Sequence, residues 1–143
     1  MRHIDRCFLC LGVVAALVGL SMGVWMHVRE SYTLYAVHAH VNLVGWVTMT
    51  LFGLAYRTGL APKDRWAAVH FAISVGAVAA LPTGMLVAML GGTRALVHAG
   101  VILTVGSMVL FAANVVRGFG VGEARDAVAP PVRRPIGRGA PAE

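Results

Sequence analysis

Long apolar stretches alternate with short polar segments along residues 8–117, and this alternation predicts membrane-spanning helices. The predicted spans are Phe8–Val28, Leu34–Tyr56, Ala67–Leu90 and Ala95–Val116. Each is long enough to cross a bilayer, because about 20 helical residues cover the hydrocarbon core. The connections between them are short, which makes consecutive helices antiparallel neighbours. The pattern therefore predicts an all-α membrane protein built as an up-down four-transmembrane-helix unit.

The composition supports this class and argues against a nucleic-acid-binding protein. The chain has 143 residues, of which only 13% are charged, and its mean hydropathy is +0.75. A soluble domain of this size carries a larger charged surface. The net charge is +6, and the charged residues lie between and after the apolar stretches rather than along one helix face. We therefore expect the lipid bilayer, and no nucleic acid, among its partners.

The positions of lysine and arginine predict the orientation of the chain. Ten of the twelve lie on one side of the predicted membrane, and only Arg29 and Arg94 lie on the other. Basic residues accumulate on the cytoplasmic side, so both termini are expected there, in a multi-pass protein of a bacterial-type cytoplasmic membrane. Residues 1–117 form the predicted membrane domain. Residues 118–143, rich in Gly, Pro, Ala and Arg, are predicted to be a disordered basic tail.

The histidines gather at one depth of the predicted membrane. The topology places four of them in the outer layer: His27, His38, His40 and His98. His70 begins the third span on the inner side, where we expect its ring to be interfacial and wet. Ionisable side chains are costly within a bilayer and often mark a functional site. The outer group is therefore the candidate site.

The spacing of His38 and His40 restricts what they can bind. Two residues along a helix correspond to about 200° of rotation, so the two rings point to nearly opposite sides. They cannot chelate one ion together, but they can serve two sites, or one can bind a ligand while the other packs between helices. Asn42 shares the face of His38 and can bond its ring or a neighbouring helix. His98 is open to the same two interpretations, ligand or helix packing.

A haem fits the remaining side chains of the outer layer. The porphyrin is flat and apolar, and the many glycines of the spans can open a groove for it, although they equally favour close helix packing. Its propionates are anionic and belong near the headgroups. Arg94 lies one turn before His98, toward water, and is placed to pair with a propionate.

The second span, AVHAHVNLVGWVTMTLFGLAYR, resembles the His-x-His helix of the catalytic subunit of haem-copper oxidases and nitric oxide reductases. In that superfamily one histidine of the pair ligates the low-spin haem and the other the high-spin haem. The resemblance implies the first role for His40 and the second for His38. Two further matches are the end of the fourth span, LFAANVVRG with Asn114 and Arg117, and the outer-loop Arg94, which matches the propionate-binding arginines by position.

The resemblance implies a part of that subunit rather than the whole. The full subunit consists of three four-helix arcs, and this chain corresponds to one arc with its histidines on the second helix. A homo-oligomer is therefore expected, and a trimer is favoured by analogy. The copper-site histidine motif is missing, and no carboxylate lies within a span as a proton relay. A complete oxidase is accordingly not expected of this chain alone, and copper is not an expected cofactor.

The resulting expectation is a b-type haem with two histidine ligands. His40 would supply one, and the other would be His98 of the same chain or His38 or His40 of a neighbour. Two filled axial positions suit electron transfer, and haem or gas sensing is a second possible role. The redox partner is not indicated.

Two alternatives without haem remain open. In the first, the protein is a cofactor-free membrane assembly factor whose histidines only bond neighbouring helices. In the second, it handles copper through sulfur and nitrogen ligands that include Cys7, Cys10, Met22 and Met26. Isolated cysteines and methionines also commonly act as apolar packing residues.

Overall fold

The protein folds into a bundle of four helices in the part of the chain that the structure describes. This structure is a computed structural model, and it describes residues 3–128, with side chains for residues 3–120. The helices are α1 (Ile4–Val28), α2 (Tyr35–Thr58), α3 (Arg65–Met89) and α4 (Ala95–Val128). All four are long and apolar enough to cross a membrane, α4 over Ala95–Gly120. The prediction of an all-α chain with four helices able to span a membrane is confirmed.

Helix α2 changes its hydrogen-bonding pattern along its length. It is α-helical over Tyr35–His40, π-helical over Val41–Thr48 and α-helical again over Met49–Thr58. A π-helical turn holds more residues than an α-helical one, and such segments are rare and frequent at functional sites. Within it, the Thr48 hydroxyl donates to the carbonyl of Leu43, five residues earlier, at 2.7 Å. The wider turn begins directly after His40.

Two residues, Gly59 and Asp64, define the ends of the loop that joins α2 to α3. Gly59 ends α2 with φ of 82°, a left-handed conformation that glycine adopts without strain. Asp64 caps the start of α3, because its carboxylate accepts from the backbone N–H of Trp66 at 2.9 Å and of Ala67 at 3.3 Å. Pro82 lies inside α3, and the helix continues through it.

The helices pack mainly in two pairs, α1 with α2 and α3 with α4. The buried core lies where α2 ends and α3 begins, and it includes Phe8, Met49, Phe52, Tyr56 and Ala67. We call this end of the bundle the Tyr56 end, and the opposite end, where α2 begins and α3 ends, the His38 end. Large apolar side chains are exposed on all four helices, as expected where lipid surrounds them.

Glycine allows close approach of α1 to α2. A side-chain carbon added to Gly19 would lie within 2.7 Å of the Asn42 side chain, and one added to Gly12 within 2.6 Å of the Thr50 hydroxyl. Small residues at helix contacts let backbones approach in membranes, where van der Waals packing drives association. The first two helices therefore meet through a seam that has no room for a larger residue on α1.

The end of α4 differs from the predicted start of the tail. The prediction begins a disordered segment at Gly118, but the helix continues to Val128. Good helix formers such as Glu123, Ala124 and Arg125 follow the glycines, and they favour continuation of the helix. Residues 129–143, the rest of the predicted tail, lie outside the described residues.

Candidate functional site

The first turns of α2 carry the two histidines of the predicted haem site. This segment, Tyr35–His40, packs against α1 and α3. His38 and His40 are both partly exposed. Each ring has one nitrogen within hydrogen-bond distance of a backbone carbonyl, but the two carbonyls belong to different helices.

His38 bonds the neighbouring helix α1. Its Nδ1 lies 3.0 Å from the carbonyl oxygen of Gly19. A carbonyl only accepts, so Nδ1 must carry the proton and donate to it. An added side-chain carbon at Gly23 would lie 3.2 Å from Cε1 of the ring. His38 is therefore held in the seam between α1 and α2.

Asn42 supports His38 from one turn later. Its amide nitrogen donates to the backbone carbonyl of His38 at 2.9 Å, and it lies 3.4 Å from both ring nitrogens. The 2.9 Å contact is the stronger one, because N–H···O bonds weaken beyond about 3.2 Å. Asn42 thus fixes the backbone that carries the ring.

His40 points away from this seam. Its Nδ1 donates to the carbonyl oxygen of Ala36 at 2.8 Å, within the same helix. Neutral imidazole has one N–H and one lone pair, so Nε2 retains the lone pair. Within residues 3–120, Nε2 has no hydrogen-bond partner. Metal-bound histidines usually show this arrangement, with the second ring nitrogen donating to a carbonyl or carboxylate.

His98 and Arg94 lie at the same end of the bundle, on a different helix. His98 is in the first turns of α4 and Arg94 directly precedes that helix, and both are exposed. The backbone N–H of His98 donates to the carbonyl of Arg94 at 3.1 Å, so the two residues are one helical turn apart. Helix α4 packs chiefly on α3, not on the turn that carries His38 and His40.

The described residues contain no group of three or more His, Cys, Asp or Glu that could hold a metal ion. The proposed copper ligands do not converge either. Cys7 and Cys10 are exposed at the Tyr56 end of α1, while Met26 is buried near the His38 end. Even Cys10 and Met22 are separated by roughly 18 Å of helix. A single copper site made of these four residues is therefore excluded within one chain.

A second polar cluster lies at the Tyr56 end, and sequence reasoning missed it. His70 is fully buried, so the expectation of a wet, interfacial ring is wrong. Its Nδ1 lies 2.9 Å from the hydroxyl of Tyr56. The amide nitrogen of Asn114 donates to the same hydroxyl at 3.1 Å. Arg117 donates to the amide oxygen of Asn114 at 3.0 Å, and to the carboxylate of Asp64.

The chemistry of these groups fixes the direction of every hydrogen bond in the cluster. Arg117 can only donate, so Asn114 presents its oxygen to Arg117 and its amide nitrogen to Tyr56. Among the described residues the Tyr56 hydroxyl has two hydrogen-bond partners, and Asn114 donates to it, so Nδ1 of His70 is the partner left to accept the hydroxyl proton. The ring proton of His70 is consequently on Nε2.

An aromatic cage surrounds His70. The rings of Phe8, Phe52 and Phe111 lie with their centroids 5.0, 4.6 and 5.6 Å from that of His70. Nε2 is buried and has no hydrogen-bond partner in the described part of the chain. A buried N–H group without a partner costs free energy, so this ring is held by its aromatic contacts and by its bond to Tyr56.

The exposed end of this cluster contains charged side chains that form ion pairs. Burial raises the pKa of Asp64, but the hydrogen bonds from Arg117 and from two backbone N–H groups outweigh it and hold the pKa below 3.8. A second ion pair joins Lys63 of the same loop to Asp5 of α1 at 3.3 Å. These two pairs tie the loop between α2 and α3 to α1 and α4.

The sequence signal that could have revealed this cluster is a pair of polar residues four positions apart in the apolar stretch of α3, His70 and Ser74, which share one helix face. The buried residues of α3 recur at intervals of three and four, a stripe that includes Ala67, His70, Ser74, Ala77 and Leu81. His70 belongs to that stripe, which is the face a helix turns toward its neighbours. Ser74 confirms the direction, because its hydroxyl lies 2.7 Å from that of Ser107 on α4.

Comparison of the chain with protein-family models, with curated proteins and with solved structures finds no match.

Proposed function

We propose that this membrane protein binds a b-type haem through His40 and transfers electrons. The observation that carries the proposal is the state of the His40 ring. Its Nδ1–H is bound to the carbonyl of Ala36, which orients the ring and leaves Nε2 to ligate iron. The resemblance of the His38–His40 helix to the haem-binding helix of haem-copper oxidases supports the same assignment.

The surroundings of His40 suit a porphyrin. Farther along α2, Leu43, Trp46 and Val47 are exposed, so the helix offers an apolar surface beside the ligand. Arg94 is exposed at the same end of the bundle and carries the positive charge that a propionate needs. When bound, the haem would supply one-electron chemistry, while the protein would hold it, orient it and exclude water.

The second axial ligand would come from His98, or from His38 or His40 of a neighbouring copy. Coordination of the iron by two histidines would suit electron transfer rather than gas binding. A homotrimer, by analogy with the three arcs of the oxidase subunit, would bring histidines of different copies together. Covalent cross-linking in native membranes tests this assembly, and a chain that cross-links only as a monomer would contradict it.

A cofactor-free role, as an assembly factor, is the second candidate. The bond from His38 to the carbonyl of Gly19 favours it, because it shows a histidine of this group holding two helices together. The two candidates differ in one measurement on protein purified in mild detergent and supplemented with haem. A reduced-minus-oxidised visible spectrum with sharp α and Soret bands supports haem binding. A spectrum without such bands supports the cofactor-free role.

A further inference from the structure

Two arginines lie on the seam between α1 and α2 at the Tyr56 end. A side-chain carbon added to Gly53 of α2 would lie 2.8 Å from Cγ of Leu9 and 3.0 Å from the carbonyl oxygen of Asp5, so the two helices meet there. Arg57 follows Gly53 by one turn and shares its face of α2. Arg6 precedes Leu9 by three residues and shares its face of α1. Because these helices are antiparallel, both arginines lie roughly 4–6 Å beyond the contact, toward the same end.

Neither arginine has a charged partner within residues 3–120, where the structure describes side chains. Both are exposed at the surface of the bundle. The acidic residues at this end of the same region are Asp5 and Asp64, and each already has a cation. Asp5 lies 3.3 Å from Lys63, and Asp64 pairs with Arg117. The seam therefore carries two positive charges, one from each helix, that no carboxylate within residues 3–120 neutralises.

Each of the two arginines lies at the end of an exposed apolar stripe. On α1, Val13 and Leu17 are on the same face as the arginine and farther into the span. On α2, Leu54 and Val47 do the same, and all four side chains are exposed. The arginines themselves lie in the terminal turns of α1 and α2, where the hydrocarbon of a bilayer gives way to headgroups. A cation above an apolar stripe complements a phospholipid.

We propose that this seam, which we call the Arg6–Arg57 seam, binds the headgroup of an anionic phospholipid. The phosphate accepts hydrogen bonds from both guanidinium groups, and the acyl chains lie along the apolar stripes of α1 and α2. A zwitterionic headgroup has its own cation beside the phosphate, so it leaves the two arginine charges uncompensated. An anionic headgroup such as that of phosphatidylglycerol compensates one of them, and basic residues near a membrane surface favour such lipids.

The rest of the chain does not supply the missing negative charge. Residues 121–143 contain four arginines against three acidic residues, so this segment has no surplus of carboxylates. Arg2, in the first two residues, adds a further cation at the start of the chain. A membrane lipid is therefore the better match for the seam than a contact with another segment of the same chain.

The test uses the full-length protein in mild detergent, with dioleoylphosphatidylglycerol as the probe and no added haem. Native mass spectrometry counts the lipid molecules retained per chain as the lipid concentration rises. We expect saturable binding that dioleoylphosphatidylcholine, with the same acyl chains, does not match. Arg6→Gln and Arg57→Gln should each weaken binding about fivefold, because one basic residue at an anionic lipid surface contributes on that order. The result does not depend on haem binding by His40.

Arg65→Gln is the matched control, because it removes an arginine at the same end of the bundle from a different face. Arg65 precedes the fully buried Ala67 by two residues, or about 200° around α3, so it points away from the other helices. Its guanidinium carbon lies 5.7 Å from the centroid of the Trp66 ring. This variant should bind phosphatidylglycerol like the wild type.

Three results would overturn the proposal. Equal weakening by all three Arg→Gln variants would show a general attraction to the positive end of the bundle instead of a site on the seam. Equal retention of phosphatidylcholine would show that the headgroup charge is not recognised. Displacement of phosphatidylglycerol by an excess of inorganic phosphate would show a site for a soluble anion, to which the apolar stripes contribute nothing.

Discussion

The hydroxyl of Tyr56 and Nδ1 of His70 lie 2.9 Å apart inside the bundle, on consecutive helices. Both side chains are fully buried, and Asn114 of α4 donates to the same hydroxyl. Three helices are therefore joined at one oxygen atom. The opposite end has the partly exposed rings of His38 and His40. Hydrogen bonds between side chains thus join the helices at the Tyr56 end, whereas the candidate iron ligand, His40, lies at the His38 end.

Removing the Tyr56 hydroxyl tests the importance of that junction. Tyr56→Phe keeps the ring but leaves His70 Nδ1 and the Asn114 amide without their partner. A buried group that loses its partner costs about 1–3 kcal/mol, so we expect a loss of that size in the free energy of unfolding in detergent. Tyr32→Phe, at an exposed position, is the matched control and should change nothing. Equal stabilities for the two variants would show that the bond contributes little.

The ion pair of Asp64 with Arg117 predicts a pH-dependent contribution to stability. The pKa of Asp64 is lowered in the folded protein, so its stabilising effect is complete above its ordinary value of 3.8. It is lost as the pH falls through the lower pKa of the folded state. Asp64→Asn keeps a capping side chain but removes the charge. Since the pair is partly exposed, we expect a loss of about 0.2–1 kcal/mol at pH 7.

The difference between wild type and Asp64→Asn should shrink toward zero as the pH is lowered below 3.8. Thermal unfolding of both proteins in detergent, measured at several pH values, gives this difference in stability. A difference that is the same at pH 7 and pH 3 would contradict an electrostatic origin.

Two glycines of the α3–α4 pair provide a test of close packing. A side-chain carbon added to Gly84 would lie 2.5 Å from the backbone nitrogen of Val97, whereas one added to Gly106 would meet nothing within 4 Å. Gly84→Ala should therefore cost about 1–3 kcal/mol through overpacking. Gly106→Ala should be neutral or stabilise by up to about 1 kcal/mol, because alanine favours the helix. If both variants behave alike, α4 does not approach α3 as closely as described.

Apolar patterning was sufficient to predict the helices, since each predicted span matches a helix to within a few residues, apart from the longer end of α4. The one-turn relation of Arg94 to His98 also follows from helix geometry. The π-helical segment after His40 was not predictable, because an apolar run of this kind is equally compatible with a regular α-helix. His70 was misplaced because its depth alone suggested an interface, while its burial depends on the Phe8, Phe52 and Phe111 rings from three other helices.

The role of His38 illustrates a similar limit. Spacing correctly separated His38 and His40 onto different sides of α2, but it did not indicate which ring would pack against another helix. That choice depends on Gly23, which leaves space for the His38 ring, and on Gly19, whose carbonyl oxygen accepts from that ring. Such a contact involves two segments distant in the sequence, and no local pattern encodes it.

The most direct test of the account is the visible spectrum of haem-supplemented His40→Ala beside that of His3→Ala. His3 is exposed at the Tyr56 end and serves as the matched control. We expect His3→Ala to retain the low-spin α and Soret bands of the wild type. His40→Ala should lose the haem or convert it to a high-spin form, because one axial nitrogen is gone. Unchanged low-spin bands in His40→Ala would contradict the assignment of His40 as the iron ligand.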